Sequence, residues 1–202
     1  MVTFCKTAWG FPPRQRGPIA AAGLAILLTG LLASGAARAD PALWAGISSG
    51  SAVVMMRHAL APGTGDPAGF DVDDCSTQRN LSKEGREQAR AIGDRFRKNG
   101  IDSARVLSSA WCRCLETARN LKLGPAENLP ALNSFFGNRE RRDPQTAALK
   151  AWLAENAGGE TPVVLVTHQV NITALTGIYP RSGEMVVLRA GSDGEIEVLG
   201  RL

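Results

Sequence analysis

Histidine is almost absent from this chain, which has two, His58 and His168, in 202 residues. Cysteine is scarce as well, with four. No two of them have the C-x-x-C spacing of a redox motif, and no second pair completes a zinc site. No segment repeats at a fixed period, which excludes solenoids and propellers. Asp66, Asp71, Asp73 and Asp74 do not follow the EF-hand frame of alternating ligands and a closing glutamate, so they read as a solvated acidic loop and no metal is expected. The remainder is ordinary, 44% hydrophobic and 21% charged, which excludes disordered and collagen-like chains.

The start of the chain differs from the rest. Lys6, Arg14 and Arg16 precede an uncharged run from Ile19 to Leu32, and small residues follow up to Ala37-Arg38-Ala39. A basic segment, a short apolar segment and an A-x-A site make a secretory signal peptide over residues 1–39. The apolar run is short for a bilayer span, which takes about 20 residues, so no membrane span is expected to persist after cleavage. The 23 basic residues exceed the 19 acidic ones only through Lys6, Arg14, Arg16 and Arg38. Residues 40–202 are therefore balanced in charge, which gives no support for nucleic-acid binding. A periplasmic or secreted location follows from this reading.

From Asp40 to Gly50 the chain reads as a short leader, and Ser51 to Met56 as a buried strand. Ala59 to Arg79 is a long Gly, Pro and Asp loop. Ser82 caps a helix from about Lys83 to Asn99. Arg105 to Leu107 is a strand and Ala110 to Leu121 a helix. Leu123 to Arg142 is irregular, and Pro144 sits at the first position of a helix that reaches Asn156. Thr161 to Thr167 is a strand, and a helix starts near Asn171. Met185 to Arg189 and Glu195 to Leu199 form a hairpin. Alternating strands and helices predict a mostly parallel sheet with an antiparallel edge, covered on both faces.

Each histidine follows the carboxyl end of an apolar strand, where open α/β sheets build their ligand crevices. Arg57 precedes His58, and Arg113 opens the helix after the second strand. Guanidinium matches phosphate oxygens in bidentate fashion, and neutral imidazole can attack phosphorus. Phosphoryl transfer needs little beyond positioning and charge stabilisation.

These residues lie in four ordered pieces, "MRHA", "LSKEGREQA", "VLSSAWCRCLETA" and "VLVTHQ". Together they resemble the histidine phosphatase superfamily, the phosphoglycerate-mutase-like group, in its smaller branch 1. The resemblance implies a three-layer α/β/α sandwich over residues 40–202 and a phosphatase that needs no cofactor. It makes His58 the phosphorylated nucleophile, Arg57 and Arg113 phosphate clamps, and His168 the second histidine on the phosphoryl group. Arg79 and Gln169 are further candidates for substrate contact. The implied partner is a phosphorylated small molecule or envelope component. A non-catalytic phosphate-binding module and a cofactor-independent phosphomutase are the alternatives.

The chain departs from the family pattern in three places. Ala59 stands for the usual glycine after the nucleophile, and Gln169 for a frequent glycine after the second histidine. "LNSFFG" (132–137) matches the frame of the family's general-acid glutamate but carries Ser134 there. A replacement acid is expected among Asp66, Asp71, Asp73, Asp74 and Glu140. Cys5 leaves with the signal, and the three remaining cysteines allow one disulfide. Cys75 is expected to pair with Cys112 or Cys114, which flank Arg113. Arg139, Arg141 and Arg142 form a basic cluster read as solvated surface. Trp111 and the Phe135-Phe136 pair are read as packing residues.

Overall fold

The computed structural model describes residues 1–3, 10, 40–191 and 193–202. The expected signal peptide therefore lies almost wholly outside the described residues. Among the described residues, no helix is long and apolar enough to cross a membrane.

Strand β1 (Val53–Arg57) is apolar at every position but its last. The pleat sends Val54 and Met56 to one face and Val53 and Met55 to the other. A run that is apolar on both sides is satisfied only inside a sheet covered on both faces. The other strands are β2 (Arg105–Ser108), β3 (Ala126–Asn128), β4 (Val163–Thr167), β5 (Met185–Ala190) and β6 (Ile196–Arg201). They form one sheet in the order β3-β2-β4-β1-β5-β6. β3, β2, β4 and β1 run parallel, and β5 and β6 form the antiparallel edge.

Helices α1 (Pro41–Ser48), α2 (Lys83–Lys98) and α3 (Cys112–Leu121) cover one face. Their Ile47, Phe96 and Leu121 pack with Val54, Val106 and Val164. Helices α4 (Arg142–Asn156) and α5 (Gln169–Thr176) cover the other, where Leu149, Leu153 and Ile172 meet Val53, Leu107 and Leu165. Each such side chain contributes about 1.5–3 kcal/mol by leaving water. The result is the expected three-layer α/β/α sandwich.

The elements depart from expectation in three places. The stretch read as a leader is helix α1, capped by Asp40, whose side chain accepts from the Ala42 amide, with Pro41 at its start. The irregular stretch contains β3. Helix α4 begins at Arg142, continuing directly from a 3-10 turn at Arg139–Arg141, so Pro144 falls inside its first turn rather than at its first position.

Two glycines set the layer spacing on the first face. A Cβ on Gly85 would stand 2.1 Å from the Leu60 carbonyl oxygen, and one on Gly93 2.1 Å from that of Leu121. Gly85 thus lets the start of α2 press against the loop that follows β1. Gly93 lets α2 and α3 pack backbone to backbone.

Candidate active site

β1 and β4 are neighbours in the centre of the sheet, and both end at the same edge. Arg57 pairs in register with Thr167, and the His58 amide donates to the Thr167 carbonyl at 2.9 Å. The two histidines therefore leave the sheet side by side, with ring centroids 5.6 Å apart. Both are buried.

The loop after His58 is held from three sides. Thr117, one turn after Arg113 on α3, accepts from the Ala59 amide at 3.0 Å. Gln88 accepts from the Leu60 amide at 2.9 Å and donates to the Ser182 carbonyl at 2.8 Å. Leu81 and Ala89 pack against Ala59 and Ala61. The "LSKEGREQA" segment is thus a clamp on the loop after β1: Ser82 caps α2 by accepting from the Gly85 amide, Gly85 gives clearance, and Gln88 ties two loops together.

His58 Nδ1 lies 2.7 Å from its neighbour's carbonyl oxygen, that of Ala59. A carbonyl only accepts, so Nδ1 carries the hydrogen and a neutral ring keeps its lone pair on Nε2. Burial pushes the pKa of His58 down to about 3, against the pull of the Ala59 carbonyl, and the Arg113, Arg57 and Arg79 charges push the same way as burial. His168 is also held well below its ordinary value, first by burial and then by Arg113. Its Nδ1 lies 3.4 Å from Arg113 Nη2, which can only donate, so Nε2 bears the hydrogen and donates to Ser109 Oγ at 2.9 Å. Near neutral pH the site presents two uncharged imidazoles among permanent cations.

Arg57, Arg79 and Arg113 line a cavity of about 110 Å³ together with both histidines, Asp66, Ser134 and Gln169. Arg79, left open from sequence, belongs to the pocket, and its guanidinium is anchored on the Gly65 and Ala61 carbonyls. The Arg57 Nη1 donates to the Pro180 carbonyl at 3.0 Å. Its Nε and that of Arg113 are buried and meet no acceptor among the described residues. Buried donors rarely go unpaired, and an oxyanion in this pocket would satisfy them. Gln169 lines the cavity while its amide donates to Thr173 within α5.

The five candidate acids separate cleanly. Asp66 reaches the pocket, where it accepts from Arg113 Nη1 at 2.5 Å and from Trp111 Nε1 at 3.0 Å. Gly63 and Gly65, at φ 93° and 71°, give the loop the turns that bring it there. Asp71 and Asp74 instead accept from backbone amides in the exposed loop, and Asp73 is exposed beside them. Glu140 sits on the exposed 3-10 turn before α4. None of these four lines the pocket. Ser134 does. Its segment is pinned by Asn133, which accepts from the Ala110 amide through its side chain and from Asn171 and Gln145 through its carbonyl.

Cys75 pairs with Cys112 across 5.7 Å between Cα atoms, tying the loop after β1 to the start of α3. Cys114 is free and buried, with its sulfur 3.5 Å from His168 Nε2. Burial raises its pKa to about 12, against the Arg113 charge, so it acts as a packing residue. Trp111 does more than pack: besides holding Asp66, it stacks on Phe70 and sets its edge against His168. Sequence reasoning missed Ser109, which lies inside a quoted motif, and Tyr179, the chain's single tyrosine, which lines the pocket. Among the described residues, no group of three or more His, Cys, Asp or Glu side chains is arranged to hold a metal.

The molecule is of the α/β class, a mostly parallel six-stranded sheet with two histidines and three arginines gathered at one edge. Residues 53–148 match the family model of the histidine phosphatase superfamily (branch 1), and this stretch of the chain belongs to that family. Among solved structures, it is similar to the protein histidine phosphatase SixA complexed with tungstate, at 20% identity and a TM-score of 0.56, over 75% of this chain and 96% of the other. It is also similar to the native mycobacterial glucosyl-3-phosphoglycerate phosphatase, at 18% identity and 0.55, over 73% and 96%. The complex of that phosphatase with VO3 aligns at 19% identity and 0.54, over 74% and 98%. No curated protein sequence matches the chain significantly.

Proposed function

We propose that the protein is an exported phosphatase that hydrolyses a phosphomonoester or phosphoramidate through a phosphohistidine on His58. The observation that carries this reading is the state of His58. It is neutral, oriented by the Ala59 carbonyl, and held among Arg57, Arg79 and Arg113. The basic-then-apolar pattern of residues 1–39, read as a signal peptide, and the Cys75–Cys112 disulfide support export.

In the first step the Nε2 lone pair attacks phosphorus, the bond to the leaving atom breaks, and that atom takes a proton. The three guanidiniums neutralise the oxygens of the transferring group, and His168 lines the pocket opposite His58. Asp66 is the proton donor in this scheme. A phosphate competing for Arg113 loosens the Asp66–Arg113 pair, and a monoanionic substrate supplies the proton that Asp66 passes to the leaving atom. In the second step the Asp66 carboxylate takes a proton from water, whose oxygen attacks phosphorus. The bond to His58 breaks, Asp66 returns its proton to a phosphate oxygen, and inorganic phosphate leaves.

One observation favours a second reading. Asp66 is paired with Arg113 and Ser134 occupies the other position open to an acid, an arrangement suited to a module that holds phosphate without turning it over. Rapid quench with 32P-labelled aryl phosphate separates the two. The phosphatase gives an acid-labile, base-stable adduct that disappears in His58→Ala. Label that persists in that variant, or no adduct at all, overturns the proposal.

A further inference from the structure

The phosphoryl pocket, at about 110 Å³, is small beside the roughly 300–1,000 Å³ of sites that enclose a whole ligand. Most of any substrate must therefore rest outside it. A second cavity of about 580 Å³ adjoins it and shares Phe136, Gln169, Val170 and Tyr179 as common walls. Three further cavities share no lining residue with the phosphoryl pocket.

The near walls of this second cavity are aromatic and apolar, and Phe136 and Tyr179 are unusually exposed for their type. Its far wall is cationic, carrying Arg139 and Arg142. Neither guanidinium belongs to any ion pair formed among the described residues. Asp143 also lines the cavity, so one carboxylate opposes two guanidiniums. α4 begins here with no side chain capping it, which adds to the positive potential. Arg141, read from sequence as part of the same cluster, lines a different cavity beside Pro144.

We propose that this cavity seats the leaving group of the substrate, and that it selects a group with an apolar or planar body ending in a second anion, a carboxylate or a phosphate. The assignment rests on the phosphatase reading above. The shared lining carries it: the cavity that meets the phosphoryl pocket at Phe136 and Tyr179 also holds the two unpaired arginines.

The test uses phenylphosphonate and 4-carboxyphenylphosphonate, which bind without turnover. Calorimetry on the intact protein should show the carboxylated probe binding roughly fivefold more tightly, the scale of a solvent-exposed ion pair. In Arg139→Gln/Arg142→Gln that advantage should vanish while phenylphosphonate affinity holds. An equal preference in both proteins, or none in either, overturns the subsite. The phosphohistidine assay is independent of this result. Discrimination without labelling at His58 sinks the phosphatase reading and keeps an anion-selective site, and labelling without discrimination does the reverse.

Discussion

The Asp66 carboxylate and the Arg113 guanidinium meet at 2.5 Å inside the pocket, across 47 residues of sequence. Of the five carboxylates proposed from sequence as a replacement acid, this contact singles out Asp66. General acid catalysis is typically worth about 10²–10⁴-fold, and an alkoxide needs it far more than a nitrophenolate. Asp66→Asn should therefore lower kcat on an alkyl phosphate by about that factor and spare an aryl phosphate. Ser134→Glu in the same background should restore part of the loss, because Ser134 already faces the pocket. Equal loss on both substrates would make Asp66 only a tether for Arg113.

Arg57 keeps a buried Nε without an acceptor. Deleting one preorganised donor to a developing charge costs about 3 kcal/mol, so Arg57→Ala should lower kcat/KM by roughly a hundredfold. A loss under about tenfold, or about 1.4 kcal/mol, would place the guanidinium outside the transition state.

Stability should depend on pH through the same histidines. Both are held neutral, with depressed pKa values, whereas in the unfolded chain they protonate near 6.5. Their contribution is therefore fully present above pH 6.5 and declines as pH falls, because the unfolded state then binds more protons. The limiting slope is about 1.4 kcal/mol per pH unit per histidine. Melting curves from pH 7.5 to 5 should show Tm falling with acid, and His168→Gln should flatten that fall. An unchanged slope in the variant would mean that His168 protonates freely in the fold.

Gly85→Ala places a methyl 2.1 Å from the Leu60 carbonyl oxygen. That atom is backbone and cannot swing aside, so the start of α2 or the nucleophile loop must shift. Activity is expected to fall more than the far-ultraviolet circular dichroism signal. Wild-type kinetics with an intact fold would show that the loop yields without moving His58.

Much of the chemistry could be read from residue order because it sits on sharply bounded elements. "VVMM" and "VVLVT" are apolar enough to be interior strands, so the polar residues that end them fall at the sheet edge. Helix α1 carries the signals Asp40 and Pro41, but its eight residues, lying between the A-x-A site and the first strand, read as a short leader. β3 reads Ala-Glu-Asn, residues that favour strands poorly, and only pairing with β2 makes it one. The choice among the aspartates depended on how Gly63 and Gly65 fold the loop, which spacing along the chain does not reveal. The disulfide partner turned on helix geometry. Residues two apart on a helix point to nearly opposite sides, so Cys112 faces the loop while Cys114 packs in the core against the sheet.

His58 and His168 each follow the last rung of two neighbouring parallel strands, joined there by the His58 amide and the Thr167 carbonyl. Their separation starts from the repeat between hydrogen-bonded strands, about 4.8 Å. The residues that meet the rest of a substrate stand elsewhere, on the loop after β1, around Phe136 and Arg139, and at Tyr179. Sequence change in those segments would alter what rests against the pocket while the spacing of the two imidazoles stays in place.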